Sequence, residues 1–201
     1  MKMTNRYAKM FVVLAAVFCL CAGPALADEI TDTINEALSQ YKAGQFTEAA
    51  GTLDYASQMI RQKKGGSLET LLPEPLNGWT ADAPTSVAAG AAMFGGGVTA
   101  ERTYYKGDSS MTVSFVTDSP VLQSMMMMMT NPAFAASSGM KIDKVKGQRA
   151  MYEYDPSDKS GEMTMVVANK FLVTVSGSGV EREEIKAYAE AVDFAKLEAL
   201  Q

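Results

Sequence analysis

Along this chain, apolar residues recur first at helical spacing and later at alternating spacing. Ile30, Ile34, Ala37, Leu38 and Tyr41 fall three and four apart, which is one face of a helix. Gly44 stands where a helix C-cap takes a residue tolerant of positive φ, and Phe46, Ala49, Ala50, Leu53, Ala56, Met59 and Ile60 resume the same period. Arg61, Lys63 and Lys64 complement the dipole of that second helix, and Gly65-Gly66 is expected to end it. Residues 28–66 therefore predict a helical hairpin. Two prolines and a glycine then force an extended path through Leu72 to Trp79 (LPEPLNGW). The stretch from Ala88 to Gly97 (AAGAAMFGGG) reads either as a flexible loop or as a place where two backbones pack closely.

From Val98 the period becomes two. Val98, Ala100, Arg102 and Tyr104 alternate with Thr99, Glu101, Thr103 and Tyr105; Gly107-Asp108 marks a turn; Met111, Val113, Phe115 and Thr117 alternate again. Asp118-Ser119-Pro120 predicts a helix start, with Met125 to Met129 on the helix and its end near Asn131-Pro132. Strands are expected at 141–145, 149–154, 162–168 and 171–176, the last two joined across Asn169-Lys170. Gly177-Ser178-Gly179 is expected to break the last strand. Glu181, Glu183 and Glu184 then open a closing helix whose apolar face runs from Ile185 through Tyr188, Ala189, Val192, Ala195 and Leu197 to Leu200. Hairpin-linked strands with interspersed helices predict an α+β domain over residues 71–201, built on an antiparallel sheet.

The first 27 residues have a different character. Lys2, Arg6 and Lys9 precede an apolar run from Met10 to Cys21, and Ala25-Leu26-Ala27 supplies small residues, the three parts of a cleavable export signal. The run is too short to span a bilayer, which takes about 20 apolar residues. A lipidated cysteine is not expected, since Cys19 follows Phe18 and Cys21 follows Leu20 rather than a small residue. Cleavage between Ala27 and Asp28 leaves 174 of the 201 residues. It predicts a periplasmic, soluble protein with no stable membrane anchor.

Cleavage also changes the chemistry. Both cysteines leave with the signal and the chain contains no histidine, which removes disulfides, thiol nucleophiles, thiolate metal sites, the Ser-His-Asp triad and imidazole ligands. All 23 acidic residues follow Ala27 and three of the 18 basic residues precede it, so the mature net charge is −8. Such a surface repels phosphate backbones, and nucleic acid is not an expected partner. Glu153 and Asp155 are one candidate carboxylate pair, but Asp155-Pro156-Ser157-Asp158 reads as a turn on an exposed strand. No catalytic residue, cofactor or metal ligand set is predicted.

Two resemblances follow from these residues. Gly44-x-Phe46-x-x-Ala49-x-x-x-Leu53-x-x-Ala56 resembles the middle of one tetratricopeptide repeat, although an array needs about three units for stability. The LP-P-GW entry at Leu72 to Trp79, followed by hairpins and a closing helix over residues 71–200, resembles the PsbP and DcrB type of domain. The chain also resembles uncharacterised exported proteins of Gram-negative bacteria with the same helical preface. The PsbP-like resemblance implies an assembly or accessory factor rather than an enzyme.

Methionine is the unusual residue: 12 of the 15 lie beyond Ala27, five of them consecutive. On a helix, Met125 shares a face with Met128 and Met129, which makes these three a candidate partner surface. The expectation is a non-enzymatic accessory or binding protein of the cell envelope, recognising a protein partner or a small apolar ligand. Its recognition surface is expected on the methionine helix or on the stretch from Ala88 to Gly97. The alternative is a methionine-based Cu(I) carrier, since thioether sulfur is a soft ligand.

Overall fold

The computed structural model describes residues 28–89, 97–130 and 140–200; for residues 89 and 128–130 it describes the backbone alone. Residues 1–27, with the expected export signal and Ala27, and residues 90–96 of the glycine-rich stretch lie outside the described residues. In chain order the elements are α1 (Glu29–Lys42), α2 (Phe46–Glu69), β1 (Thr80–Ala81), β2 (Thr85–Ala89), β3 (Gly97–Lys106) and β4 (Ser109–Thr117). There follow α3 (Pro120–Thr130), β5 (Lys141–Val145), β6 (Gln148–Asp155), β7 (Ser160–Val167), β8 (Phe171–Ser178), α4 (Arg182–Ala191) and α5 (Phe194–Ala199). The fold is α+β: a helical hairpin, then one antiparallel sheet in the order β1-β3-β4-β8-β7-β6-β5, with β2 also paired to β3. The chain divides into two compact units inside α2, at residues 1–56 and 57–201. Among the described residues, no helix is long and apolar enough to cross a membrane.

In the first unit, the buried positions of the hairpin are small: Thr33, Ala37, Ala49 and Ala56. The Thr52 hydroxyl donates to Gln40 Oε1 at 2.8 Å, and the Tyr41 ring meets Phe46 edge-on at 5.7 Å between centroids. Small residues let two helices approach closely, and that closeness leaves the long apolar side chains at the flank. Ile34, Leu38 and Tyr41, read from their spacing as an inward face, are instead exposed, as are Phe46 and Leu53.

The second unit owes its core to the period-two pattern. One face of the sheet buries Val98, Ala100 and Tyr104 of β3, Met111, Val113 and Phe115 of β4, Val173 and Val175 of β8, and Met163 and Met165 of β7. Ile185, Tyr188 and Ala189 of α4 and Leu197 of α5 join the same core. The other face is rich in hydroxyls: Thr103 lies 3.4 Å from Thr112 and Thr164 lies 3.5 Å from Thr174, oxygen to oxygen. That division between an apolar face and a polar one is what strand alternation predicts for an antiparallel sheet covered mainly on one side.

Several boundaries differ from their sequence signals, each for a packing reason. Helix α2 does not end at Gly65-Gly66 but continues to Glu69, carrying Leu68 into the core with no exposure. Gly65 is a contact point: a Cβ there would lie 2.7 Å from Ser86 Oγ and 3.0 Å from Ser86 Cβ. Strand β8 likewise passes through Gly177, where a Cβ would meet Val180 Cγ2 at 2.5 Å. Of the small-residue stretch, Ala88 and Ala89 end strand β2, which pairs with β3 from Thr85 opposite Glu101 to Ala89 opposite Gly97. The closing helix is two helices. Asp193 caps the second by accepting from the Lys196 N–H at 3.1 Å, and Lys146 Nζ donates to the freed Val192 carbonyl at 3.0 Å.

The LP-P-GW segment is held by aromatic residues of the core. Tyr188 packs against Tyr104 at 4.6 Å and against Trp79 at 5.3 Å, the latter edge-on. The Tyr104 hydroxyl donates to the Pro73 carbonyl at 2.7 Å, and the Leu76 N–H donates to the Tyr188 hydroxyl at 3.4 Å. Burial pushes both phenols above their ordinary range, so both stay protonated hydrogen-bond partners.

The two adjacent helix glycines make a test of this packing. A Cβ added at Gly66 would meet nothing within 4 Å, whereas Gly65 is crowded. Gly66→Ala is expected to stabilise the protein by about 0.5–1 kcal/mol through helix propensity. Gly65→Val is expected to destabilise it by about 2 kcal/mol through overpacking. Urea unfolding of the two variants measures both signs.

Candidate functional site

The register of β4 with β8 decides where the site forms. Thr117, the last residue of β4, pairs with Phe171, the first of β8. The connection into α3 and the β7–β8 turn therefore leave the sheet at the same end. Both take left-handed backbone: Asp118 has φ 56°, Ala168 φ 52° and Asn169 φ 55°. Asp and Asn tolerate this region, but Ala costs roughly 1–2 kcal/mol there. The turn is closed by the Lys170 N–H donating to the Val167 carbonyl at 3.1 Å, and the start of α3 by the Val121 N–H donating to Ser119 Oγ at 3.3 Å. Among the described residues, left-handed backbone at non-glycine positions also occurs at Lys146 and Lys159, and at Ala168-Asn169 it is what a two-residue hairpin turn requires.

Between these segments lies an open cleft of about 780 Å³. Leu122 and Met126 of α3, Phe171 of β8 and Leu200 give it apolar walls. Its polar lining is Lys64, Thr117, Asp118, Ser119, Gln123, Asn169 and Lys170. Lys64 Nζ is 2.6 Å from Asp118 Oδ2, with the lysine side chain 24% and the aspartate 55% exposed. An ion pair as accessible as this contributes only ~0–1 kcal/mol. A cleft that joins apolar walls to convergent polar groups is a common form of small-molecule site.

The residues of the predicted methionine surface have different environments. Met125 is half-buried and packs against Met151 of β6, Met126 lines the cleft, and Met127 is 74% exposed. Met128 and Met129 lie on α3, and their side chains fall outside the described residues. Asp28, on the mature side of the expected cleavage site, is the N-cap of α1. Glu153 and Asp155 are both exposed, and Asp155 is committed to its turn, accepting from the Ser157 N–H at 2.8 Å. The carboxylate directly opposite Glu153 is Glu162 on β7, a pairing that only the strand register reveals. Among the described residues, no group of three or more His, Cys, Asp or Glu side chains has a metal-holding arrangement.

Sequence reasoning did not find Lys64, Asp118, Asn169 or Lys170 as a group. Their local signals were legible as a helix terminus, a helix start and a turn. Asp118 meets Asn169 and Lys170 through the β4–β8 pairing, which spans more than fifty residues of intervening chain, and Lys64 of α2 joins them through its ion pair with Asp118.

The environments of neighbouring methionines separate by stability. Met125→Asp places a carboxylate against Met151 and is expected to cost about 2 kcal/mol. Met127→Asp on the exposed side is expected to stay within about 0.5 kcal/mol of wild type. Thermal unfolding of the pair reads the difference.

No protein-family model, curated protein or solved structure matches the chain.

Proposed function

We propose that this chain is a non-enzymatic binding protein of the cell envelope, acting in the periplasm, and that the cleft beside α3 takes an apolar or amphipathic ligand. The observation that carries this reading is the cleft itself: about 780 Å³, with walls from Leu122, Met126 and Phe171 and with Lys64 and Lys170 among its lining groups. A methionine wall suits a ligand of variable shape, because the unbranched thioether side chain adapts to irregular surfaces. The lysines favour an anionic headgroup, which would take the place of Asp118 at Lys64. The export signal read in residues 1–27 supports the compartment, and the PsbP- and DcrB-type resemblance supports an accessory role.

A second reading, recognition of a protein partner, has its own observation. Ile34, Leu38, Tyr41, Phe46 and Leu53 are 42–66% exposed on one hairpin. An apolar row of this kind marks interaction surfaces more often than bare monomer surface.

A fluorescent fatty acid titrated into the protein tests the first reading. Saturable binding is expected, about tenfold weaker (~1.4 kcal/mol) in Met126→Glu and unchanged in Phe46→Ser. Absence of saturable binding, or equal affinity in Met126→Glu, would count against the cleft. Loss in Phe46→Ser alone would transfer the site to the hairpin.

A further inference from the structure

The helical hairpin has almost no core of its own. Its buried positions are Thr33, Ala37, Ala49 and Ala56, while Ile34, Leu38, Tyr41, Phe46 and Leu53 stay 42–66% exposed. Side chains this small bury little apolar area, and short helices without a packed face are marginal in water. The long apolar side chains of the hairpin lack the second layer that would cover them.

These five residues form one continuous face. Ile34, Leu38 and Tyr41 are four and three apart on α1, and Phe46 and Leu53 are seven apart on α2, so each set keeps to one side of its helix. The rings of Tyr41 and Phe46, edge-on at 5.7 Å, join the two rows at the turn. The carboxylates avoid this face. At about 100° per residue, Glu29, Asp32 and Glu36 fall on the far side of α1 from its row, and Glu48 on the far side of α2. The borders carry opposite charges, Lys42 beside the row on α1 and Asp54 beside the row on α2, both exposed. Among the described residues, neither has an ion-pair partner.

Charge and area indicate what covers the face. From Asp28 onward the chain has a net charge of −8, so two copies repel wherever their carboxylates meet. This face turns them away and offers one cationic and one anionic border. We propose that it is a homodimer interface, in which two hairpins related by a two-fold axis along the helices pack face to face as a four-helix bundle. Helix α1 of one copy then lies antiparallel over α2 of the other, and the Lys42 border of each copy lies beside the Asp54 border of the other. With about 150–250 Å² on an aromatic side chain, the five residues offer roughly 500 Å² per copy, and the roughly 1,000 Å² covered in total is where specific interfaces begin. This inference rests on the reading of the hairpin as a protein-recognition surface and names its occupant.

Sedimentation equilibrium of the purified protein over a wide concentration range tests the proposal. Wild type is expected to dimerise reversibly. Leu38→Ser/Phe46→Ser is expected to weaken the dimer at least about tenfold, with the circular dichroism of the monomer unchanged. Met127→Ser removes a 74% exposed apolar side chain from α3 and is expected to leave the dimer intact. Lys42→Glu is expected to weaken the dimer about threefold by setting like charges along each border, and Lys42→Glu/Asp54→Lys to restore it. A wild type that stays monomeric would overturn the pairing of copies, while leaving recognition of a different protein by the hairpin standing. A dimer undiminished in Leu38→Ser/Phe46→Ser, or weakened as much by Met127→Ser, would overturn this face as the interface. Failure of the charge swap to restore what Lys42→Glu loses would overturn the antiparallel arrangement.

Discussion

The contact of Tyr188 with Tyr104 and Trp79 holds the sheet unit together. Tyr104 belongs to β3, Tyr188 to α4 and Trp79 to the end of the LP-P-GW segment, and Tyr104 and Tyr188 are fully buried. Aromatic pairs in such geometry contribute roughly 0.5–1.5 kcal/mol beyond the area they bury. Their hydroxyls add direction. A proline-interrupted segment cannot satisfy its backbone groups by forming a helix, and here Tyr104 takes the Pro73 carbonyl while Tyr188 takes the Leu76 N–H. Arg102 Nη1 donates to the same Pro73 carbonyl at 3.2 Å. Burial keeps both phenols protonated, so these bonds persist across the ordinary pH range.

With one face of the sheet committed to this aromatic core, the other face is left to polar chemistry and to α3. The helix covers a corner through Met125 against Met151, while Met126 turns toward the cleft. The methionine helix is therefore shared between two environments. Its flexible side chains fill the gap over β6 on one side and furnish an adaptable wall on the other, which is what an unbranched thioether does better than leucine.

Much of the architecture was legible in the alternation itself. Met111, Val113 and Phe115 define the inward face of β4, and Glu181 with Glu184 form the capping box that opens α4. What the sequence did not disclose depended on contacts between distant residues. Gly65 and Gly177 read as helix and strand breakers, but each lies inside its element because a neighbour approaches too closely for a Cβ. Strand β2 has only Val87 as a large apolar residue and exists because β3 offers it an unpaired edge. Ile34, Leu38 and Tyr41 have the right spacing for burial, yet the buried positions of the hairpin went to small residues. The cleft and the Glu153–Glu162 pair were illegible for a related reason. Each requires the strand register, which local patterns do not specify.

Ligand uptake by the cleft, at the end of the sheet where β4 and β8 meet α3, is open to a residue-by-residue measurement. Amide chemical shifts recorded by NMR during addition of a fatty acid provide it. The largest changes are expected on residues 117–126 and 168–171 and on Leu200, with Trp79, Tyr104 and Tyr188 unmoved. Changes concentrated instead on the hairpin, residues 29–56, or on the aromatic core would contradict binding in the cleft.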